Sequence, residues 1–364
     1  MLTNNIIEFT AGNAERQEAY KKFVEYYELY KSGKTANDNG VTFSEMNEKM
    51  LNFYSDEVER LSGRKMSDYS DLRQYCNFTD VRESAFAVVS MLTDLIIPDA
   101  LIKDIGLIAD IKNGGWGDTL KVEMKPRDLF VVAKGGRARR TFDITRQYNG
   151  ERTIVPEVHA ITVGISLYDV LRGAYTLAEF VSKAAISVET QMRYDIYDAF
   201  AAAMDSLPAT DGDGQLKIAG FTQDAAIALA QKVQAWNGGN KAVFVGTQLA
   251  LSKILPASTN TRILLGDEYV RVGYMREFFG FSTIALEQVA DYTKEFAVKL
   301  DDTKVYVLSP GTDKIVKVFI EGSTLSNTET DYANANLQQT ATLYKSYGVG
   351  AFTSAIAGEI TLAD

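Results

Sequence analysis

The chain of 364 residues carries one cysteine and one histidine. With Cys76 alone, neither an intrachain disulfide nor a cysteine-based zinc site is possible, and Cys76 reads as a small, partly buried hydrophobe. Any Ser-His-Asp or Cys-His catalytic arrangement would have to be built on His159. That residue sits in an alternating strand pattern, the place of a structural polar side chain, and no Gly-x-Ser-x-Gly elbow accompanies it. Long apolar runs are also lacking. The most apolar stretch, Ala85 to Pro98, is interrupted by Asp94 and is too short to span a bilayer. The opening residues Met1 to Asn5 bring no basic segment and no apolar one, so the expectation is a protein without a secretory signal, made and folded in a cytoplasm. Basic charge is in deficit: the net charge of −10 argues against a nucleic-acid binder, because phosphate affinity rests on Lys and Arg releasing counterions.

Hydrophobic content of 46% and charged content of 24% are those of an ordinary folded protein, long enough for two or three cores or one elongated body. Between Ala14 and Tyr30, Tyr20, Phe23, Val24, Tyr27 and Tyr30 recur at the spacing of one helical face. A second helix follows Thr42, which forms a capping-box pair with Glu45, and turns Phe43, Met46, Met50, Phe53 and Leu61 one way. Each of these helices has only a stripe to bury. The pair is either an arm lying on a neighbour or the first hairpin of a helical domain.

Residues Gly117 to Ser166 change character. Short strand-like pieces (Val122 to Met124, Phe130 to Val132), a Gly135-Gly136 turn and an alternating stretch from Thr153 to Ile165 predict an extended two-stranded ribbon. Nine Lys and Arg stand there against six Asp and Glu, a local excess of positive charge in an acidic chain. A ribbon that thin cannot hold its own core, so it must lie against something, and the acidic surface of another copy is electrostatically suitable. Lys134, Arg137, Arg139 and Arg140 are open to three readings: nucleic-acid contact, a solvated hairpin, or, favoured here, with Arg146 and Arg152 further along, an intersubunit clamp seeking carboxylates on that copy.

Next comes the longest regular element. Thr176 and Glu179 suggest another capping box, and Leu177, Phe180, Val181, Ala184, Val188, Met192, Ile196 and Phe200 keep helical spacing as far as about Ser206, roughly 45 Å at 1.5 Å per residue. The pattern then becomes mixed α/β. A helix from Thr222 to Trp236 stops at Gly238-Gly239. Ala242 to Val245 reads as a buried strand, and Thr247 caps a helix from Gln248 to Leu255 closed by Pro256. Tyr274 to Phe279 reads as a helical turn before Gly280, and Ser282 to Leu286 as a strand. Val305 to Leu308 and Ile315 to Ile320 flank a turn as a hairpin, and Thr340 to Leu362 as long strands with a bend at Gly348 and Gly350.

Two glycine-rich pieces invite a chemical reading and fail it. Gly114-Gly115-Trp116-Gly117 lacks the Lys-Ser/Thr ending of a phosphate loop and reads as a flexible joint. Asp211-Gly212-Asp213-Gly214 lacks the third ligand and the closing Glu of a calcium loop, and reads as a surface turn. No carboxylate pair, metal triad or nucleotide fingerprint stands out. The chain is expected to be no enzyme and to use no cofactor or metal.

The order of these elements resembles the major capsid proteins of tailed bacteriophages, a fold shared with herpesvirus shells and encapsulin compartments. Lys134-Gly135-Gly136-Arg137 is similar to the outer half of the family's extended E-loop. Val163 to Leu171 and the helix from Leu177 are similar to the entry into the spine helix, and Asp211 to Leu216 to the turn leaving it. Ala242 to Pro256 and Arg276 to Leu286 look like parts of the axial domain, and Tyr344 to Phe352 like the closing sheet of the peripheral domain. The likeness runs from Asp80 to Leu362.

It implies an α+β class with an N-terminal helical arm (1–70), the start of a peripheral domain (71–117) and the E-loop (118–165). After these come the peripheral domain with its spine helix (166–216), the axial domain (217–322) and the closing peripheral strands (323–364). It further implies self-assembly into pentamers and hexamers of an icosahedral or prolate head around double-stranded DNA. The partners would then be other copies, portal, and scaffolding or decoration proteins, with no membrane, and the location would be the virion, assembled in the host cytoplasm. Met1 to Ser70 is short for a cleaved scaffolding region and reads as an architectural arm. Some members join subunits covalently through a loop lysine. Lys134 has a comparable place, with nothing in the sequence to assign it that role. The alternatives are an encapsulin-like compartment and an unrelated oligomeric surface or binding protein.

Overall fold

The computed structural model describes residues 14–34, 40–124, 149–165, 177–211, 214–258, 269, 271–291, 294–310, 313–330, 339–353 and 355–362. Five helices open and brace it: α1 (Ala14–Ser32), α2 (Phe43–Ser62), α3 (Leu72–Asn77), α4 (Thr79–Ile105) and, after the first strands, α5 (Leu177–Asp205). Glu45 accepts the Thr42 N–H at 3.2 Å at the start of α2, and Gly63 at φ +68° closes it in the left-handed conformation that glycine adopts freely. The stripes of α1 and α2 meet on the chain's own body. Phe23, Tyr26, Tyr27, Met50, Tyr54 and Val58 pack with Tyr75, Cys76, Val81, Val88, Val89 and Ala185 in one cluster. In this chain the two opening helices pack as a hairpin against its own helical cluster. Cys76 is the buried hydrophobe expected, its thiol pushed up to about 11 by burial.

Two sheets complete the molecule. The four-stranded one has the order β1 (Ala109–Gly114), β14 (Val316–Thr330), β15 (Gln339–Ala351), β4 (Glu157–Ile165), with β1 parallel to β14 and the rest antiparallel. Between β1 and β4 the chain runs out and back as β2 (Leu120–Met124) and β3 (Gly150–Ile154). The six-stranded sheet has the order β7 (Lys217–Ala219), β16 (Gly358–Thr361), β13 (Lys304–Leu308), β8 (Val243–Thr247), β10 (Phe281–Leu286), β9 (Glu277–Phe278). Two small hairpins stand apart, β5 (Thr210–Asp211) with β6 (Gly214–Gln215) and β11 (Ala290–Asp291) with β12 (Ala297–Val298).

Helices α6 (Gln223–Trp236) and α7 (Gln248–Ser252) cover the six-stranded sheet, where Leu229, Ala230, Val233, Phe244, Leu251, Phe278, Val305 and Ile360 form a core. Thr247 caps α7, its hydroxyl accepting the Ala250 N–H at 3.2 Å.

Helix α5 is the spine. Met192, Ile196, Tyr197, Phe200 and Met204 enter one core with Val243, Val245, Tyr306 and Leu308 of the larger sheet. Val316, Val318, Ile320 and Tyr347 of the smaller sheet join the same core. Its 29 residues, about 44 Å at 1.5 Å each, therefore tie together both sheets and, through Ala185, the helical cluster. Thr176 and the Glu179 side chain, the expected cap of this helix, lie outside the described residues.

Several local expectations are corrected. Val305–Leu308 and Ile315–Ile320 are not a hairpin: β13 pairs with β8 and β16, and β14 with β1 and β15. The two strands are adjacent in sequence but belong to different sheets, and both add side chains to the one core on α5: Tyr306 and Leu308 from β13, Val316, Val318 and Ile320 from β14. The stretch Tyr274 to Phe279 holds the short strand β9 and no helical turn, since Phe278 pairs with Phe281 across a tight turn at Phe279 and Gly280. The α7 helix stops at Ser252, short of Leu255. Thr340 to Leu362 is split, with β15 in the smaller sheet and β16 in the larger. Strand β14 runs through position 322, and β16 returns to the six-stranded sheet.

Candidate assembly interface

The ribbon leaves the body between β1 and β4, and the described part is its base. Leu120 pairs with Ile154 and Met124 with Gly150. Within residues 149–165, Gly150–Ile154 pairs in the ribbon base, and past Val155-Pro156 the chain turns into β4 and joins the sheet beside β15. The base is seated on its own chain by Val122, Ile154 and Phe319, with Leu120 and Phe352 packed alongside. That contact requires glycines beneath it. A Cβ at Gly348 would sit 2.7 Å from Ile154 Cγ2 and 2.9 Å from the Val155 carbonyl oxygen, so the two backbones approach as only glycine allows. We expect Gly348→Ala to lower stability by about 1–3 kcal/mol, read from urea unfolding, because a backbone carbonyl must move to admit the methyl. An unchanged midpoint would show the seat to be loose.

The Gly114-Gly115-Trp116-Gly117 joint is bound, not flexible. A Cβ at Gly114 would overlap the Phe319 ring, Trp116 lies against Gly322, and Gly117 adopts φ +83°. The Gly115 N–H donates to Asp118 Oδ2 at 2.8 Å and the Gly117 N–H to Glu321 Oε1 at 2.6 Å. Ser346 donates to the other oxygen of Glu321 at 2.5 Å, and these donors, Ser346 foremost, hold the Glu321 carboxyl below its ordinary range. The sequence showed four residues rich in glycine. It could not show that the glycines are there for close approach.

Of the six clamp residues, Arg152 is described: it lies exposed on β3 opposite Val122. Lys134, Arg137, Arg139, Arg140 and Arg146 lie outside the described residues. Beside Arg152, Lys121 and Glu151 form an exposed cross-strand pair at 3.2 Å.

His159 lies on β4 with its ring stacked on Tyr347 at 4.0 Å, its Nε2 3.7 Å from Asp195 of α5. Tyr347 donates to Asp195 Oδ2 at 2.5 Å; burial first, then this carboxylate, pushes its phenol up. The groove beside them, about 190 Å³, is lined by Ile161, Ser187, Val188, Gln191 and Lys345 among others, and the Ser187 hydroxyl donates to the Lys183 carbonyl at 2.8 Å. Among the described residues no group of three or more His, Cys, Asp or Glu is placed to hold a metal ion, and no helix is long and apolar enough to cross a membrane.

Two buried carboxylates bind the elements together. Asp94 accepts from Lys345 Nζ, from the Thr324 N–H and from the Thr324 hydroxyl, each at 2.5 Å, tying α4 to the bulged region of β14 and to β15. Glu189 of α5 accepts from Tyr27, from Lys31 at 2.9 Å and from Arg193 at 2.5 Å, tying α1 to the spine. The signal for the first was on view: Asp94 is the one charge inside the most apolar run. Nothing in the sequence named its partner.

A family model described as "SPbeta prophage-derived putative capsid protein YonB" matches residues 28–361, nearly the whole chain. No curated protein sequence matches. Among solved structures, the mature capsid of bacteriophage PhiM1 is 12% identical with a TM-score of 0.50, covering 71% of this chain and 86% of that one. The capsid of cyanophage P-SCSP1u is 12% identical with a TM-score of 0.47 over 72% and 88%. The capsid of an empty GTA particle is 12% identical with a TM-score of 0.47 over 72% and 90%. The PhiM1 likeness concerns the fold alone. With a spine helix holding two sheets and a family match across the length of the chain, the protein belongs to the YonB family of prophage capsid proteins and has the tailed-phage major-capsid fold.

Proposed function

We propose that this capsid protein assembles into pentamers and hexamers of a closed head enclosing double-stranded DNA, located in the virion and put together in the host cytoplasm. The family match over residues 28–361 carries the reading. The six-stranded sheet with α6 and α7 serves as the axial lobe at the ring centre. The four-stranded sheet, α4 and α5 form the peripheral body, and the ribbon reaches over an adjacent subunit. A shell needs heterologous contacts that repeat and close, and many modest contacts per subunit make it stable. The net charge of −10 suits a lining that encloses DNA without gripping it.

The test is microscopy of negatively stained particles from producing cells, with nuclease protection of their contents. Closed shells holding protected double-stranded DNA are expected. Shells filled with protein and free of DNA would replace the genome container with a compartment, and small fixed oligomers would overturn the shell itself. The clamp has its own test. Arg137, Arg139 and Arg140 replaced together by Ser should give a folded subunit with unchanged melting and little assembled material in a sedimentation run. Normal particles from that variant would remove the arginines from the contact.

A further inference from the structure

The hairpin β11–β12 follows the six-stranded sheet and stands against the spine helix. Its base is tightly built. Tyr194 of α5 donates to the Ala290 carbonyl, and Lys299 pairs with Asp198 of α5 at 2.9 Å. The Gln288 amide bridges across, donating to the Leu300 carbonyl at 3.0 Å and accepting the Leu300 N–H at 3.1 Å. Val289 is buried in the core shared with α5. The Lys299 N–H donates to the Val289 carbonyl at 3.0 Å, closing the base.

The other end is the opposite in character. Phe296 is fully exposed, and Val298, two residues on, is half-exposed. Lys294 and Glu295 flank them as an exposed polar rim. Phe296 also adopts φ +54°, a left-handed conformation that glycine or asparagine would take at lower cost. Turn chemistry therefore does not account for a phenylalanine here, and burial within the described chain does not either. A strained backbone, a rigid base and a bare aromatic ring together describe a pre-organised anchor. An apolar centre with a polar rim is the composition of an interface hot spot.

We infer that Phe296, with Val298, is an anchor that inserts into a second copy of this chain when the shell forms. The second copy is the partner because the chain belongs to a capsid family, whose subunits are flanked by copies of themselves; the inference rests on that assembly reading. The contact is distinct from the ribbon clamp, since it is apolar and sits on the spine helix at Tyr194 and Asp198.

The experiment uses the whole chain. Phe296→Gly removes the ring and relieves the backbone at once, so the subunit should melt at the same temperature or higher. Assembled material should nonetheless fall about tenfold at fixed concentration, the loss of one aromatic hot spot per subunit. Phe296→Tyr should restore it. In parallel, Phe296→Cys and Val298→Cys place a thiol at the anchor against a low background, because native Cys76 is buried with its thiol pushed up to about 11. A maleimide should label these thiols in free subunits and be excluded from them in shells. Equal labelling in both states, or full assembly of Phe296→Gly, would overturn the inference while leaving the shell intact. If the wild-type chain forms no shells, it is the assembly reading that fails.

Discussion

Replacing Asp94 with Ala should lower the stability of the folded chain by about 3–5 kcal/mol, read from the midpoint of urea unfolding. The side chains of Asp94 and Lys345 are 5% and 4% exposed, so neither recovers water when the other is lost. The Lys345 ammonium would be left buried and unpaired, and the Thr324 N–H and hydroxyl would each lose their acceptor. Pairing Asp94→Leu with Lys345→Met should return much of the loss, because an apolar pair of similar volume escapes the desolvation that the charges suffer. A single-variant loss under about 1 kcal/mol would mean that water reaches the pair. The position matters beyond stability. Helix α4 meets the smaller sheet where the β14 register shifts between Glu321 and Leu325, beside the Glu321 contact that holds the ribbon joint. Assembly should therefore fail in Asp94→Ala even at temperatures where the chain stays folded.

The second large effect is expected at Glu189. Its side chain is 3% exposed and that of Arg193 9%, so Glu189→Ala takes the carboxylate away from a buried guanidinium and leaves the Tyr27 hydroxyl without this acceptor. Lys31 is 37% exposed and regains water, so its share is small. A loss of about 3 kcal/mol follows, concentrated in one place. Limited proteolysis should cut the Ala14–Ser62 segment much faster than in the wild type, while fragments of the six-stranded sheet persist. Equal cleavage rates would mean that the aromatic packing of Phe23, Tyr26 and Tyr27 holds α1 without the carboxylate.

Helices were legible because their signals are local. The recurrence of Phe23, Tyr27 and Tyr30, the Thr42–Glu45 pair, the run from Leu177 to Phe200 and the stop at Gly238-Gly239 need only the chain within a few turns. Helix α4 went unread as a helix. Its buried residues Val81, Ala85, Val88, Val89 and Leu92 keep helical spacing, but the apolar run from Ala85 to Pro98 masks that contrast in the sequence. Strand pairing was the weaker reading throughout. The stretch from Val305 to Ile320 looked like a hairpin because a turn lies between two apolar runs, yet an apolar run does not declare which sheet it will enter. Gly114 and Gly117 looked like a hinge for a similar reason, since composition cannot distinguish glycine used for motion from glycine used for close contact.

What the amino-acid order determined by itself was the succession of elements: two opening helices, one very long helix and an α/β region. From that succession came the likeness to capsid subunits. These follow from periodicity, capping and composition, which act between near neighbours. The tertiary structure alone decided that β13 and β14 part into two sheets and that the opening helices fold back on the spine. It also matched Asp94 with Lys345 and Glu189 with Tyr27, and left Phe296 bare beyond a hydrogen-bonded hairpin base. Each of these depends on desolvation and contact between groups far apart along the chain, and such terms have no expression in the sequence until the backbone brings their partners together.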